Sequence, residues 1–193
     1  MSQSELWQRF QKSDKNALSE IFLQYYDDLF RYGLRLSKGN DNITKDCIQD
    51  LFLKLWKNRA NLSNAISIKP YLFKALRHHI FDSLDLHKPF NPIDNDDIST
   101  LEIEYSHEDF LISSQIDDDK RKKVILVLNQ LSPRQREAIY LRYFENLDFN
   151  SIAQIMNMNI QSVRNTMARG IQSMRELYIL EAFCILFGNL QLT

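Results

Sequence analysis

Residues 152–177 read IAQIMNMNIQSVRNTMARGIQSMREL, and this stretch decides the fold. Ile152 to Met156 has the spacing of a short helix, Asn157-Met158-Asn159 that of a turn, and Ile160 to Leu177 that of a longer helix. Asn tolerates the left-handed backbone that such a turn needs at 157, and Asn159 is a favoured helix N-cap. Short helix, three-residue turn and longer helix make the helix-turn-helix pattern. The helical period predicts Ile160, Val163, Met167, Ile171 and Met174 as the buried stripe of the second helix. It leaves Gln161, Ser162, Arg164, Asn165, Arg169 and Gln172 outside. Between 149 and 175 there is no Asp or Glu, whereas a merely solvated helix face usually mixes both signs. Arg pairs with guanine, and Asn or Gln with adenine, through two hydrogen bonds in the major groove. Ser and the remaining Arg suit phosphates.

Working outward, Val124, Ile125, Val127 and Leu128 open this second block. Ser132-Pro133-Arg134-Gln135 then forms a capping box with Pro at the first helical position. The first block reads as helices throughout. Leu18, Ile21, Phe22, Tyr25, Leu29 and Phe30 form one stripe expected to face a core, with Gly33 and the run at 38–41 loosening and ending that helix. Ile48, Leu51, Phe52, Leu55 and Trp56 fit the i, i+3, i+4, i+7, i+8 template, with Asp46, Asp50, Lys54 and Lys57 on the other side. A further helix starts near Pro70 and carries Tyr71, Leu72, Ala75, Leu76 and Ile80 inward.

The composition agrees with helices. Only four Gly and four Pro occur in 193 residues, which disfavours sandwiches, barrels and long linkers as the main content. The formal charge of −1 conceals blocks. Residues 1–90 carry fourteen Lys and Arg against ten Asp and Glu, a net +4. Residues 91–119 carry no cation and ten acids, and residues 120–178 carry ten cations against four acids, a net +6. Two basic blocks separated by an acidic strip keep a nucleic-acid partner in view despite the near-neutral total. Pro89 and Pro92 close the first block, and the strip reads as an extended linker with at most one short helix. Met-Ser-Gln-Ser-Glu-Leu-Trp at the start has neither basic nor apolar character, so no signal peptide is expected. Cys47 and Cys184, far apart, argue for a reducing cytosol rather than a disulfide framework. Leu177 to Phe187 is nearly all apolar but too short to span a bilayer.

Rival chemistry finds little support. His78 and Asp82 stand at i, i+4 with His79 beside them, yet no second ligand set accompanies them, so no metal site is expected. No phosphate loop, nucleophile elbow or catalytic triad cue occurs. Tyr71 and Phe73, interleaved with Lys69, Lys74 and Arg77, have the composition of a stacking platform for single-stranded bases.

Two basic helical blocks, an acidic connection and a C-terminal helix-turn-helix resemble the extracytoplasmic-function (ECF) sigma factors, the small two-domain class of bacterial RNA polymerase sigma subunits. The resemblance covers about residues 6–178. Its most specific stretch runs from Asp46 through Gln49, Asp50 and Phe52 to Trp56, similar to the family's acidic-x-x-Gln-acidic-x-Phe-x-x-x-Trp helix. Pro70 to Arg77 with Asp82 is similar to the promoter-contacting helix that follows, and Leu131 to Arg136 with Leu147 to Arg169 to the second domain. The chain departs from the usual pattern at His78, at Thr166, and after Asp82, where Ser83 to Lys88 offers one Lys.

The resemblance implies an all-α fold of two small helical domains joined by an acidic linker: 1–90, the linker at 91–119, 120–178, and an apolar tail at 179–193. It implies that Gln49, Asp50, Leu53, Lys54 and Lys57 dock on core RNA polymerase. Asn61, Asn64 and Lys69 would capture a flipped base of the downstream promoter element, with Tyr71, Lys74 and Arg77 supporting the opened strand. Gln161, Ser162, Arg164, Asn165 and Arg169 would read the upstream element as duplex DNA. The expected role is a cytoplasmic transcription initiation factor without catalytic residues, cofactor, metal, small-molecule substrate or membrane span. Its partners would be core polymerase, promoter DNA and an anti-sigma factor. The alternative is an autonomous helix-turn-helix regulator.

Overall fold

The computed structural model describes residues 2–62, 67–84, 103, 105 and 118–176. These residues are helical with no strand among them, and the chain divides into two units with the boundary close to residue 101.

The first unit holds α1 (Gln3–Gln11), α2 (Lys15–Leu36), α3 (Asp41–Asn58), a 3₁₀ turn (Arg59–Asn61) and α4 (Ile68–Ser83). The starts of α1, α2 and α3 are chemically marked. Ser2 and Glu5 form a reciprocal capping box on α1. Asp14 caps α2 by accepting the N–H groups of Asn16 and Ala17, and the Arg9 guanidinium hydrogen-bonded to its carboxylate holds Asp14 below the usual carboxylate range. Asn40 caps α3. Helices α2, α3 and α4 pack mutually, with α1 laid against α2. Trp7, Phe10, Ile21, Leu29, Tyr32, Ile48, Leu72, Phe73 and Leu76 are almost wholly buried. Burial of a large apolar side chain contributes about 1.5–3 kcal/mol, so this set is a large favourable term in the unit's stability.

Two expectations change here. Gly33 does not loosen α2, which continues through it to Leu36. A Cβ at 33 would lie 2.7 Å from Thr44 Cγ2, so the missing side chain is what lets α2 and α3 approach. The helix does end before the run at 38–41, as expected, with Lys38 and Gly39 both at positive φ, and buried Thr44 bonds Ser37 and the Asn40 carbonyl across the corner. The α2 stripe is also split. Ile21, Tyr25 and Leu29 are core, whereas Phe22 is 36% exposed and Leu18 and Phe30 are half-buried. Periodicity reports an apolar face, not how much of it the same domain covers.

The second unit holds α5 (Asp118–Gln130), α6 (Pro133–Ile139) continuing into a π-helical turn (Tyr140–Phe144), most of α7 (Phe149–Met156), and α8 (Ile160–Glu176). The expected box at Ser132 and Gln135 is present on α6. Gly170 of α8 faces Ile139, whose Cδ1 would stand 3.2 Å from an added Cβ, so α6 and α8 meet closely. Val124, Leu128, Ile139, Leu141, Ile152 and Val163 are wholly buried and form the centre of the unit's core. Ile160, expected inside, is 40% exposed, because it begins its helix before the stripe reaches the core.

Within the acidic strip, Ile103 and Tyr105 are buried in this unit. The Tyr105 N–H donates to Asn129 Oδ1 at 2.8 Å, its carbonyl accepts from Asn129 Nδ2 at 3.1 Å, and its hydroxyl donates to the Arg136 carbonyl at 3.0 Å. The strip therefore includes a packed anchor that its composition does not announce. The tail beyond Glu176, and most of residues 85–117, lie outside the described residues.

Candidate functional surfaces

The α7–α8 pair has the geometry expected of the motif. Asp148 caps α7 by accepting the Ser151 N–H at 2.7 Å, and this bond keeps its carboxyl below the usual range. Asn157 sits in the left-handed region at φ 52° and ψ 48°, closing α7, while the Met158 N–H returns to the Ala153 carbonyl at 2.9 Å. Asn159 accepts the Ser162 N–H at 2.7 Å and starts α8. Val163, Met167 and Met174 point into the core. Gln161, Arg164, Asn165 and Arg169 are exposed, and Ser162 is half-buried. The structure thus brings Gln161, Arg164, Asn165 and Arg169 onto one open helix face. Gln161 Nε2 donates to Asn165 Oδ1 at 3.1 Å, aligning those two amides one turn apart.

On α3, Gln49, Asp50, Leu53, Lys54 and Lys57 are all exposed, with Leu53 at 60%. Of these, Gln49 and Leu53 line an open apolar groove of about 500 Å3 between α2 and α3, whose walls include Leu18, Phe22, Ile48, Phe52 and Trp56. Phe22 meets Phe52 edge-on at 5.0 Å. Lys15, Lys45 and Gln49 stand among its lining residues, so the groove has an apolar floor with polar chemistry beside it. Periodicity places these aromatics on one stripe but does not reveal that the stripe stays open. The Lys54 ammonium lies 3.4 Å from His79 Nδ1. Burial first, and that cation second, hold the His79 imidazole below its ordinary value. Among the described residues no group of three His, Cys, Asp or Glu is arranged to hold a metal.

The six residues assigned to the downstream element are not equivalent. Asn61 and Lys74 are exposed, and Asn64 lies outside the described residues. Lys69 pairs with Asp28 at 2.9 Å and rests 5.5 Å from the Phe73 ring centre. Tyr71 is half-buried, edge-on to Trp7 at 5.9 Å. Arg77 is only 8% exposed, its guanidinium 4.4 Å from the Phe81 ring centre. Phe73 is corrected as a base-stacking candidate: it is wholly buried, stacked on Tyr32 at 4.9 Å. Sequence reasoning missed Arg59, which joins the end of α3 to the start of the chain. Its guanidinium lies 4.2 Å from the Trp56 ring centre, donates to the Trp56 carbonyl, and donates to Ser13 Oγ.

Residues 21–88 match the family Sigma-70 region 2, and residues 121–174 match Sigma-70, region 4; together they cover more than half of the chain. Curated relatives include the ECF RNA polymerase sigma factor SigM of Bacillus subtilis, 24% identical over 84% of this chain and 95% of that protein. Another is SigW of the same organism, 22% identical over 86% and 90% respectively. Among solved structures, CnrH in complex with the cytosolic domain of CnrY is similar with a TM-score of 0.61 at 14% identity, covering 90% of this chain and 95% of that one. RpoE in complex with the anti-sigma factor NepR, from Bartonella quintana, gives 0.58 at 22%, covering 84% and 97%. The chain belongs to the sigma-70 family of RNA polymerase sigma factors, and the relatives it resembles include members named as ECF sigma factors.

Proposed function

We propose that this chain is a transcription initiation factor that binds core RNA polymerase and directs it to promoters. The observation that carries the reading is the pairing, in one chain, of an acid-free helix-turn-helix face on α8 with an open amphipathic face on α3. In this reading Gln49, Asp50, Leu53, Lys54 and Lys57 dock on core, with Leu53 and the groove supplying apolar area and the charges supplying orientation. The segment after α3, with Asn61 and Asn64, and Lys74 on α4 assist opening of the downstream element. Lys69, Tyr71 and Arg77 shape that region from within. Binding energy, not covalent chemistry, does the work, and the cytoplasm is where core polymerase and promoters are found. No described helix is long and apolar enough to cross a membrane.

The autonomous regulator is not favoured, since a region 2 match has no role in it. An anti-sigma factor is a further partner in this reading, as RpoE was solved in complex with the anti-sigma factor NepR. Its simplest mode is competition for the α3 groove.

The upstream assignment is tested by substitution. Arg164→Ala and Asn165→Ala in the holoenzyme should each relax preference at one base pair by roughly 1–3 kcal/mol. Arg169→Ala, if it contacts phosphate, should weaken all sequences alike and flatten the salt dependence. Binding measured over a randomised upstream element separates the two patterns, and unaltered preference in both 164 and 165 variants would remove α8 as the reading helix.

A further inference from the structure

Arg164 is the exposed cation at the centre of the α8 face, and its support comes from another helix. Its guanidinium carbon lies 5.6 Å from the centre of the Phe149 ring, at the first position of α7. Among the described residues it makes no hydrogen bond or ion pair. A second guanidinium, that of Arg142 in the π-helical turn, lies 5.1 Å from the same ring. Arg142 is fixed in turn, since its Nη1 donates to the Leu147 carbonyl at 3.0 Å. Arg169, on the same face of α8, rests on no described aromatic ring.

We infer that Phe149 is a positioning residue for base recognition: its ring holds the Arg164 guanidinium in place to read a guanine of the upstream element. The inference rests on the promoter-reading role of α8. Contact with a ring engages the flat face of a guanidinium and leaves its N–H donors free along the edge. Those edge donors are what pair with O6 and N7 of guanine. An unsupported Arg must lose the freedom of a long side chain on binding, whereas one already resting on a ring loses less. Arg142, tied to the Leu147 carbonyl, steadies the ring from the preceding turn. The arrangement spans both helices of the motif, so α7 contributes to specificity without itself entering the groove.

The test uses the full chain with core polymerase and a promoter library varied through the upstream element. Arg164→Ala first identifies the base pair at which discrimination is lost. Phe149→Leu, which keeps apolar bulk but removes the ring, should lower discrimination at that same pair by roughly 2- to 5-fold, the size of an exposed cation–π contact. Phe149→Tyr should restore it. Positions that depend on Asn165, and the salt dependence, should not change. In the Arg164→Ala background, Phe149→Leu should have no further effect at that pair. A uniform loss across all positions, or an equal loss in both backgrounds, would overturn the positioning role and leave Phe149 a packing residue. Failure of Arg164→Ala itself to alter any preference would instead overturn the reading of α8. An independent check is the NMR spectrum of the unbound chain: the Arg164 side-chain protons should be displaced upfield by the ring current, and unshifted resonances would overturn the contact whatever the Leu variant does.

Discussion

Reversing Asp50 and Lys54 together, as Asp50→Lys with Lys54→Glu, is expected to abolish stable assembly with core polymerase while leaving the first unit folded. Both side chains are exposed on α3, away from Ile48, Leu51 and Leu55, so the core is untouched. Within the helix the change swaps the order of an i, i+4 pair, worth a few tenths of a kcal/mol. The Lys54–His79 contact is also lost, and the introduced carboxylate would favour protonation of His79, a minor adjustment at a half-buried ring. Across an interface the outcome differs. Opposed charges become like charges, which costs several kcal/mol, and each ~1.4 kcal/mol is a factor of ten in affinity. Core affinity measured by titration should therefore fall at least ~100-fold with circular dichroism unchanged. Wild-type affinity in the double variant would move the docking face elsewhere.

Tyr105→Ala should damage the second unit more than any change on its surface. The side chain is 3% exposed, lies 5.5 Å from the Phe144 ring centre, and its hydroxyl meets the Arg136 carbonyl. Truncating a buried aromatic to Ala costs about 3–5 kcal/mol, a large part of the 5–15 kcal/mol that domains typically possess. Tyr105→Phe removes only the hydroxyl bond and should cost about 1 kcal/mol. Hydrogen exchange provides the measurement: amides of α5 and α6 should lose protection strongly in the Ala variant and slightly in the Phe variant. Unchanged protection in Tyr105→Ala would mean that the acidic strip is not anchored there.

The contrast between these two sites shows what the sequence discloses. The exposed polar face of α3 was legible because one helical period separates Ile48, Leu51 and Leu55 from Asp50, Lys54 and Lys57. The turn of the motif was legible for the same local reason, since Asn157 and Asn159 satisfy backbone needs within four residues of themselves. Tyr105 was not, because one aromatic among carboxylates has no period, and its partner Asn129 lies twenty-four residues away. Long-range partnership also explains Lys69 and Arg77. Their charge is visible in the sequence, but the Asp28 that pairs with the first and the burial of the second come from tertiary packing. Phe22 and Leu18 fail in the opposite sense. An apolar stripe is as compatible with a partner's surface as with a core, and here Leu18 and Phe22 line the groove while Ile21, Tyr25 and Leu29 fill the core. Phe149 and Arg142 escape a search confined to the second helix of the motif, since a cation–π support acts across elements.

The central claim is that this chain supplies promoter choice to an enzyme it does not itself contain. Transcription by purified core polymerase from a library of promoter fragments, with and without the chain, measures that directly. The account predicts start sites that appear only when chain and core are both present, at fragments sharing one upstream and one downstream element. It also predicts weak binding of the same duplexes by the chain alone. Tight sequence-specific duplex binding by the free chain, with no new start sites on adding core, would contradict the account and restore the autonomous regulator.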